Sequence, residues 1–310
     1  MMRSLYSGVT GLRNHQTRMD VIGNNIANVN TIGYKSSRVV FQDIYSQTIK
    51  PASTTSGGTG GTNPQQIGLG VQVSTIDVMH TKGTPQYTGY ALDLMIDGDG
   101  YFVVSSGGQL TYTRAGNMYQ DASHNLVDAN GAYVIGYEVN ADGDVVLYDS
   151  NDEIVYLDAG GNRVEADGTT PYTGSATPDS WAPKTSNIYL NPAYYDISIN
   201  RYGQVVGIDQ DTNESKVIGQ LVLATFANPN GLEKVGANSY RVTVNSGDAV
   251  VNAPGSGGGG VLNPGTLEMS NIDLTSEFAD MIVTQRGFQA NSRIISTTDQ
   301  MLEELVNMVR

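Results

Sequence analysis

Acidic turns rich in glycine are the residues whose type and spacing come nearest to a recognisable chemistry, which is calcium binding. Asp97-Gly98-Asp99-Gly100 and Asp142-Gly143-Asp144 each alternate a carboxylate with a glycine. A calcium loop of the EF-hand type needs an oxygen ligand at its fifth position and a glycine at its sixth. Tyr101 and Val146 stand at the fifth positions, and no glycine follows them. We therefore interpret both motifs as turns and predict no metal site.

Other residue types that support catalysis also form no pattern. His15, His80 and His124 are dispersed and lack the i, i+4 spacing that holds a metal on a helix. Gly68-Leu69-Gly70 completes neither a dinucleotide nor a phosphate loop. Asp149 and Asp152 resemble a glycosidase pair, but 31 acidic residues in 310 make such pairs common by chance. Cysteine is absent, which excludes thiol catalysis and disulfides. We predict no enzyme, no catalytic residue and no cofactor.

The last forty residues predict a long helix that packs against other helices. An apolar residue recurs every seven positions with no proline between, which is the spacing of a helix-packing seam. The seam residues are Leu274, Met281, Phe288, Ile295, Leu302 and Val309. Phe278 and Val306 begin and end a companion column that is polar at Gln285, Ser292 and Asp299. Asp273 is placed to cap the helix, which would be about 54 Å long.

The first thirty residues predict a second helix of the same kind. Leu5, Leu12, Met19 and Ile26 repeat every seven residues, and Val9 lies in the companion column. Three arginines against one aspartate make this helix basic, whereas three arginines against six acidic residues make the last forty residues acidic. Opposite charges favour pairing of the two helices. The six seam residues of the last helix contribute about 1.5–3 kcal/mol each when they are buried. Their sum is less than the cost in backbone conformational entropy of forming so long a helix. We therefore expect the two terminal helices to cover each other, and the spacing alone is equally consistent with an ordinary helical hairpin that closes one globular domain.

The region between the helices predicts a β protein with flexible connections. The chain contains 37 glycines, and short runs of β-branched and aromatic residues alternate with glycine turns. The fold class is therefore α+β and mainly β. We assign residues 1–30 and 271–310 to the terminal helices of an inner core domain. We assign 31–70 and 252–270 to linkers, and 71–251 to a β-rich outer domain with an insertion at 138–192.

Several long motifs resemble the bacterial flagellar rod and hook proteins. The run DVIGNNIANVNTIGYKS at 20–36 is similar to the family's amino-terminal signature, including Asn24, Asn25, Asn28, Asn30, Gly33 and Tyr34. LEMSNIDL at 267–274 and MIVTQRGFQANS at 281–292 resemble its carboxy-terminal signature. GTNPQQIGLGV at 61–71 and DGDGYF at 97–102 are also similar to the family. For the asparagines themselves we favour a helix terminus followed by a turn.

This resemblance implies a structural subunit of the flagellar axis. The implied partners are copies of the chain itself, the rod, the hook cap, the hook–filament junction proteins and the type III export apparatus. The implied location is the extracellular flagellum, in the hook or basal body, reached without a cleavable signal peptide because the first residues lack an apolar core. The net charge of −14 disfavours nucleic acid, and no apolar run is long enough to span a membrane.

Within the family the motifs favour the hook, a curved tube that joins rod to filament and transmits torque as a universal joint. Asn63-Pro64-Gln65-Gln66 and residues 281–292 favour it. The long segment after Ile49 favours the alternative, a straight distal rod. The alternative from another class is a secreted β-rich adhesin or carbohydrate-binding module.

Overall fold

The structure is a computed structural model that describes residues 2–54, 61–139, 147–148, 154–157, 163–164, 182–183, 185–210 and 212–308. These residues form two compact units. Unit 1 contains Met1–Asn30, Lys35–Thr81 and Asn271–Arg310, and unit 2 contains Thr31–Tyr34 and Lys82–Ser270. The prediction of a mainly β protein with a helix at each end is confirmed.

Unit 1 consists of the two terminal helices and one long antiparallel hairpin. Its helices are α1 (Met2–Ala27) and α2 (Leu274–Met308), and its strands are β1 (Ser37–Asp43), β2 (Ser46–Lys50), β3 (Gln65–Gly68) and β4 (Val71–Val78). β1 pairs with β4 from Ser37↔Val78 to Asp43↔Val71, and β2 pairs with β3. We call this hairpin the ribbon. Every residue of β2 and β3 is exposed.

The first turn of α2 is capped as the sequence predicts. The Asp273 carboxylate accepts a 2.9 Å hydrogen bond from the backbone N–H of Thr275. The carbonyl of Asp273 accepts from the N–H of Glu277 at 3.0 Å. The cap satisfies a backbone donor that has no partner inside the helix.

Unit 2 is built of strands. They are β5 (Pro85–Tyr87), β6 (Leu94–Asp97), β7 (Tyr101–Ser106), β8 (Gln109–Thr113), β9 (Met118–Gln120), β10 (Leu126–Asp128), β11 (Tyr133–Tyr137), β12 (Leu147–Tyr148), β13 (Ile154–Leu157), β14 (Arg163–Val164), β15 (Ala182–Pro183), β16 (Thr185–Asn187), β17 (Tyr194–Ile199), β18 (Gln204–Asp209), β19 (Ser215–Leu221), β20 (Leu223–Thr225), β21 (Glu233–Gly236), β22 (Ser239–Arg241), β23 (Val250–Asn252), β24 (Val261–Pro264) and β25 (Thr266–Glu268).

Thirteen of these strands form the main sheet. Its longest path runs β17-β18-β19-β11-β7-β8-β22-β21, with β9, β10, β16, β20 and β23 paired beside it. β6 pairs with β24, β5 pairs with β25, and β12 to β15 form a separate four-stranded sheet. The three-residue 3-10 helix Pro229–Gly231 precedes β21.

Parts of the main sheet are buried on both faces. Phe102 and Val104 of β7 belong to one apolar cluster with Val134 of β11. Tyr101 and Val103 point to the opposite face and belong to a second cluster. Alternate side chains of a strand lie on opposite faces, so burial on both faces requires a continuous apolar run. This is why Tyr101 to Val104 has no polar residue.

The segments predicted as linkers contain regular strands, which differs from the prediction. Residues 31–70 hold β1, β2 and β3, and residues 252–270 hold β24 and β25. β4, placed in the outer domain by the sequence, belongs to unit 1 because it pairs with β1. Val39 and Phe41 of β1 are partly buried, whereas the glycine and serine residues that suggested a linker lie at 53–61, after β2. Most of the 138–192 insertion lies outside the described residues.

Candidate subunit-packing surface

The two terminal helices pack against each other in antiparallel orientation. A Cβ atom built on Gly8 would lie 3.3 Å from Ile295, and one built on Gly287 would lie 2.6 Å from the His15 ring. Near the end of α1, the Asn25 amide donates a 3.0 Å hydrogen bond to the Glu277 carboxylate. Residues later in α1 therefore contact residues earlier in α2, as antiparallel packing requires.

An ion pair joins the helices in the way that their opposite charges predict. The Arg18 guanidinium lies 3.0 Å from the Asp280 carboxylate, and both side chains keep contact with solvent. Pairs of this kind contribute about 0–1 kcal/mol. The pair therefore helps to set the orientation of the helices more than their stability.

Small and polar residues, which the sequence reasoning overlooked, form the contact between α1 and α2. Thr284 and Thr298 are buried on α2, and a Cβ atom on Gly11 would lie 2.6 Å from the Asn291 amide. Glycine allows this close approach because it has no side chain. The missed signal was a second seven-residue repeat on α2, namely Glu277, Thr284, Asn291 and Thr298.

The predicted apolar seam lies beside this contact and is not fully buried by it. Leu5, Leu12, Met19, Ile26, Met281, Ile295 and Leu302 are partly buried, whereas Val9, Leu274, Phe278 and Phe288 are exposed. Val309 lies outside the described residues. The chain itself thus leaves much of the seam uncovered.

Further apolar side chains on α2 are exposed to solvent. Val283 is 62% exposed, Val306 64% and Met308 78%, and Ile282, Ile294, Met301 and Leu305 are also exposed. Contiguous apolar surface of this kind marks an interaction site. Unit 1 contains nine basic and nine acidic residues, so its net charge is zero. Copies of unit 1 can therefore approach without net repulsion.

The ribbon packs on α1 as well. The Asn14 amide donates a 2.6 Å hydrogen bond to the carbonyl of Val71. The rings of His15 and Phe41 meet edge to face with centroids 6.1 Å apart. α1 therefore contacts both α2 and the ribbon.

His15 occupies the place where these contacts meet. Its Nδ1 atom is buried and has no hydrogen-bond partner among the described residues. Burial, and secondly the positive charge of Arg18, lower the pKa of His15 below its ordinary value. The packed state thus favours the neutral ring, because a protonated Nδ1 would carry a buried N–H without an acceptor.

The asparagines of the amino-terminal motif anchor the end of α1. Asn25 is buried, accepts from the Ser37 N–H at 3.0 Å and donates to the Ser37 carbonyl at 2.9 Å. The Asn28 amide donates to the carbonyl of Asn24 at 2.9 Å, and Asn30 is exposed. Burial raises the pKa of Glu277, and the hydrogen bond from Asn25 opposes that rise.

Gly33 and Tyr34, from the same motif, belong to unit 2. Gly33 has a φ of 67°, its N–H donates to the Glu268 carbonyl at 2.8 Å, and a Cβ atom there would lie 2.6 Å from Ala115 N. Glycine is therefore required here, because other residues rarely adopt this φ and a side chain would clash with the backbone of Ala115. The Lys234 ammonium lies 4.9 Å from the Tyr34 ring centroid, and burial lowers the pKa of Lys234.

The motifs that suggested chemistry have other roles or lie outside the described residues. Asp97 to Gly100 form the turn from β6 to β7, where the Asp97 carboxylate accepts a 2.6 Å hydrogen bond from Lys82. That bond is the main cause of the lowered pKa of Asp97. His124 contacts Gln120 at 2.8 Å. Asp142, Asp144, Asp149 and Asp152 lie outside the described residues.

The described residues bring together no group of three or more histidine or acidic side chains that could hold a metal ion. Neither α1 nor α2 is long and apolar enough, over its described length, to cross a membrane.

Three protein families match successive parts of the chain. Residues 5–35 match "Flagella basal body rod protein", 95–207 match "Flagellar hook protein FlgE/F/G D1 domain", and 263–308 match "Flagellar basal body rod FlgEFG protein C-terminal". The flagellar basal-body rod protein FlgG of Bacillus subtilis (strain 168) is 44% identical over 311 residues, with 100% of both chains covered. The chain belongs to the flagellar rod and hook protein family.

Hook proteins are similar to the chain as well. The flagellar hook protein FlgE of Borreliella burgdorferi is 33% identical over 444 residues, covering 99% of this chain and 100% of the relative. That of Treponema pallidum is 32% identical over 464 residues, covering 100% of each.

Members of the rod and hook family are structural subunits that polymerise in the flagellar basal body, and this protein is a structural subunit and not an enzyme. The resemblance of the sequence motifs to the family is confirmed. The first matched region covers most of α1 and its asparagines, and the last covers the end of β24, all of β25 and α2. The central match lies in unit 2.

Proposed function

We propose that the protein is a subunit of the distal flagellar rod, and that it polymerises into a tube through unit 1. The observation that carries this proposal is the apolar surface of α1 and α2 that the chain leaves uncovered. Val283, Val306 and Met308 are the clearest examples. Side chains of this type contribute about 1.5–3 kcal/mol each when buried, so copies that cover them gain stability.

The choice of rod over hook rests on length. The chain has 310 residues, and its alignment with the Bacillus rod protein spans 311 positions. The alignments with the two hook proteins spread over 444 and 464 positions. The hook relatives therefore carry long additional segments, whereas the rod relative does not. The sequence motifs alone favour the hook, so the proposal departs from that expectation.

Contact between the ribbon and a neighbouring subunit would make the rod stiff. β2 and β3 pair with each other and expose every residue. A two-stranded hairpin without a covering layer is marginally stable in water. Contact with a neighbouring subunit would stabilise the ribbon and fix the angle between subunits.

The hook remains a second candidate function, because two hook proteins match the whole chain at 32–33% identity. In a hook, the small-residue contact between α1 and α2 would serve a different purpose. Gly8, Gly11 and Gly287 provide no interlocking side chains, so the helices can slide along each other while the tube bends.

Assembly is expected to follow export of the unfolded chain to the extracellular flagellum by the type III apparatus. The partners at the two ends of the polymer would be rod proteins and either hook or junction and cap proteins. We propose that the terminal helices pack in coiled-coil fashion against copies of themselves and become fully ordered there.

Complementation in two deletion strains tests the function. The gene is expressed in a strain without its rod protein and in a strain without its hook protein, and the basal bodies are imaged by electron microscopy. The rod proposal predicts straight structures in the first strain and no curved tube in the second. Curved tubes in the hook deletion would assign the protein to the hook. Absence of polymer in both strains, and from purified protein at high concentration, would reject an axial subunit.

A further inference from the structure

A row of side chains crosses five neighbouring strands of unit 2. Tyr119 of β9 lies opposite Val127 of β10, and Val127 lies opposite Tyr133 of β11 on its other side. Tyr133 lies opposite Ser105 of β7, and Ser105 lies opposite Leu110 of β8. Directly opposed side chains share one face of a sheet. We call these five residues the tyrosine row, which is about 19 Å long at 4.7–4.9 Å per strand.

The tyrosine row is the open part of a face that is otherwise covered. Val103, Tyr112 and Ile135 lie on the same face, two positions along their strands, and are buried in the second apolar cluster. Phe226 and Val251 pack against that cluster. At the tyrosine row this cover has ended, so Tyr119 is 50% exposed, Tyr133 37% and Leu110 51%. Tyr189, opposite Asn125, extends the exposed surface.

The tyrosine row is uncharged on a strongly acidic unit. Unit 2 contains 22 acidic and eight basic residues, so it carries the whole net charge of −14. Two acidic residues that closely follow row residues in the sequence are held in turns. Asp121 accepts from the N–H groups of Ser123 and Asn125, and Asp128 accepts from those of Asn130 and Ala132.

We propose that the tyrosine row is the surface through which unit 2 contacts a second copy of this chain. The inference rests on the proposed polymer. Two acidic units repel each other wherever charged surfaces meet, and they can approach closely where neither side brings a charge into the contact. Tyrosine is enriched in protein interfaces, where its ring is buried and its hydroxyl still forms a hydrogen bond. A second copy therefore fits both the charge and the residue types of the row.

A single introduced thiol tests the contact, because the chain has no cysteine. Tyr133→Cys places the thiol in the row, and Tyr202→Cys, at another exposed tyrosine, is the matched control. The rate of maleimide labelling is measured in monomer and in polymer. We expect polymerisation to slow labelling at position 133 by at least about tenfold and to leave position 202 within about twofold, since access controls the rate. Equal rates at position 133 in both states would overturn the inference.

A second measurement does not depend on the thiol. Tyr119→Ser together with Tyr133→Ser is expected to raise the critical concentration for assembly at least about tenfold. Tyr195→Ser with Tyr202→Ser is the control and is expected to leave it unchanged. An unchanged critical concentration in the row variant would contradict the proposal. A different pair of results would make the row a carbohydrate-binding surface instead. The unsubstituted monomer would bind an insoluble glycan and the double variant would not, and the thiol at position 133 would stay reactive in the polymer. Failure of the unsubstituted chain to polymerise would reject the proposed function itself.

Discussion

Arg114 and Glu268 form a buried ion pair inside unit 2. The guanidinium Nη1 atom lies 3.4 Å from the carboxylate Oε2 atom, and the side chains are 3% and 0% exposed. Glu268 also accepts a 2.9 Å hydrogen bond from the Gly83 N–H, and Arg114 donates to the Gly98 carbonyl at 2.9 Å. The guanidinium carbon lies 5.2 Å from the Tyr101 ring centroid. The pair therefore joins four separate segments of unit 2.

Glu268→Gln is expected to destabilise unit 2 by about 3–5 kcal/mol, because it leaves the buried Arg114 charge without compensation. Urea unfolding followed by tyrosine near-UV signals measures the loss. The control is Glu233→Gln, which breaks the 2.7 Å pair with Arg241 at a site where both side chains are 54% exposed. The control should cost less than about 1 kcal/mol. Equal losses for both variants would show that burial of the first pair has no energetic consequence.

Gly287→Val is expected to weaken pairing of α1 and α2. A Cβ atom there would lie 2.6 Å from the His15 ring, so the ring must leave its place between the helices or α1 must shift. Gly23→Ala is the matched control, since no atom lies within 4 Å of a Cβ built on that helical glycine. It should stabilise α1 by about 0.5–1 kcal/mol. The critical concentration for assembly measures both, and it should rise for the first variant and fall for the second. A fall for Gly287→Val would contradict the contact.

Asn25→Ala is expected to raise the free energy of the assembled state by about 2–4 kcal/mol. The substitution removes three hydrogen bonds, to Ser37 and Glu277, each worth roughly 0.5–1.5 kcal/mol. Asn30→Ala changes an exposed asparagine of the same motif and should stay within about 0.5 kcal/mol. Sedimentation of polymer against monomer gives both values. If the two variants behave alike, Asn25 does not anchor the end of α1.

Acid is expected to weaken the packing around His15. Its pKa in the packed state lies below its ordinary value of 6.5, so the unfolded state binds the proton more tightly. This contribution to stability is therefore present above pH 6.5 and is lost as the pH falls through the lowered pKa. The raised pKa of Glu277 acts with the opposite sign, because its contribution is present below about pH 4.5 and is lost as the pH rises through the raised pKa.

The pH at which half of the polymer dissociates measures the effect of His15. His15→Gln keeps a polar side chain that does not titrate, so acidification from about pH 7 to 5 should weaken its assembly less than that of the unsubstituted chain. A variant with the same pH dependence as the unsubstituted chain would show that His15 does not cause it.

The sequence predicted what depends on regular spacing. The seven-residue repeats predicted α1 and α2, the Asp273 cap marked the start of α2, and the opposite charges anticipated the Arg18–Asp280 pair. The face through which α1 and α2 touch was not predicted, because apolar residues were expected to form it. Gly11, Thr284 and Asn291 form it instead. Small residues pack helices through close backbone approach and leave no hydrophobic signal.

Pairing between distant segments could not be predicted from local sequence. The sequence predicts a linker here because residues 53–61 are rich in glycine and serine, whereas β1 and β4 bring together residues as far apart as Ser37 and Val78. The division of one motif between two units, with Asn25 in unit 1 and Tyr34 in unit 2, likewise depends on tertiary contacts. The tyrosine row became visible only when five strands were in register.

Hydrogen exchange of the terminal helices before and after assembly tests the central claim most directly, namely that copies of the chain cover the apolar surface of α1 and α2. The amides of Val283, Met301 and Val306 are expected to exchange rapidly in the monomer and to become strongly protected in a hollow polymer. If these amides are already strongly protected in the monomer, and the monomer never polymerises even at high concentration, the claim is contradicted.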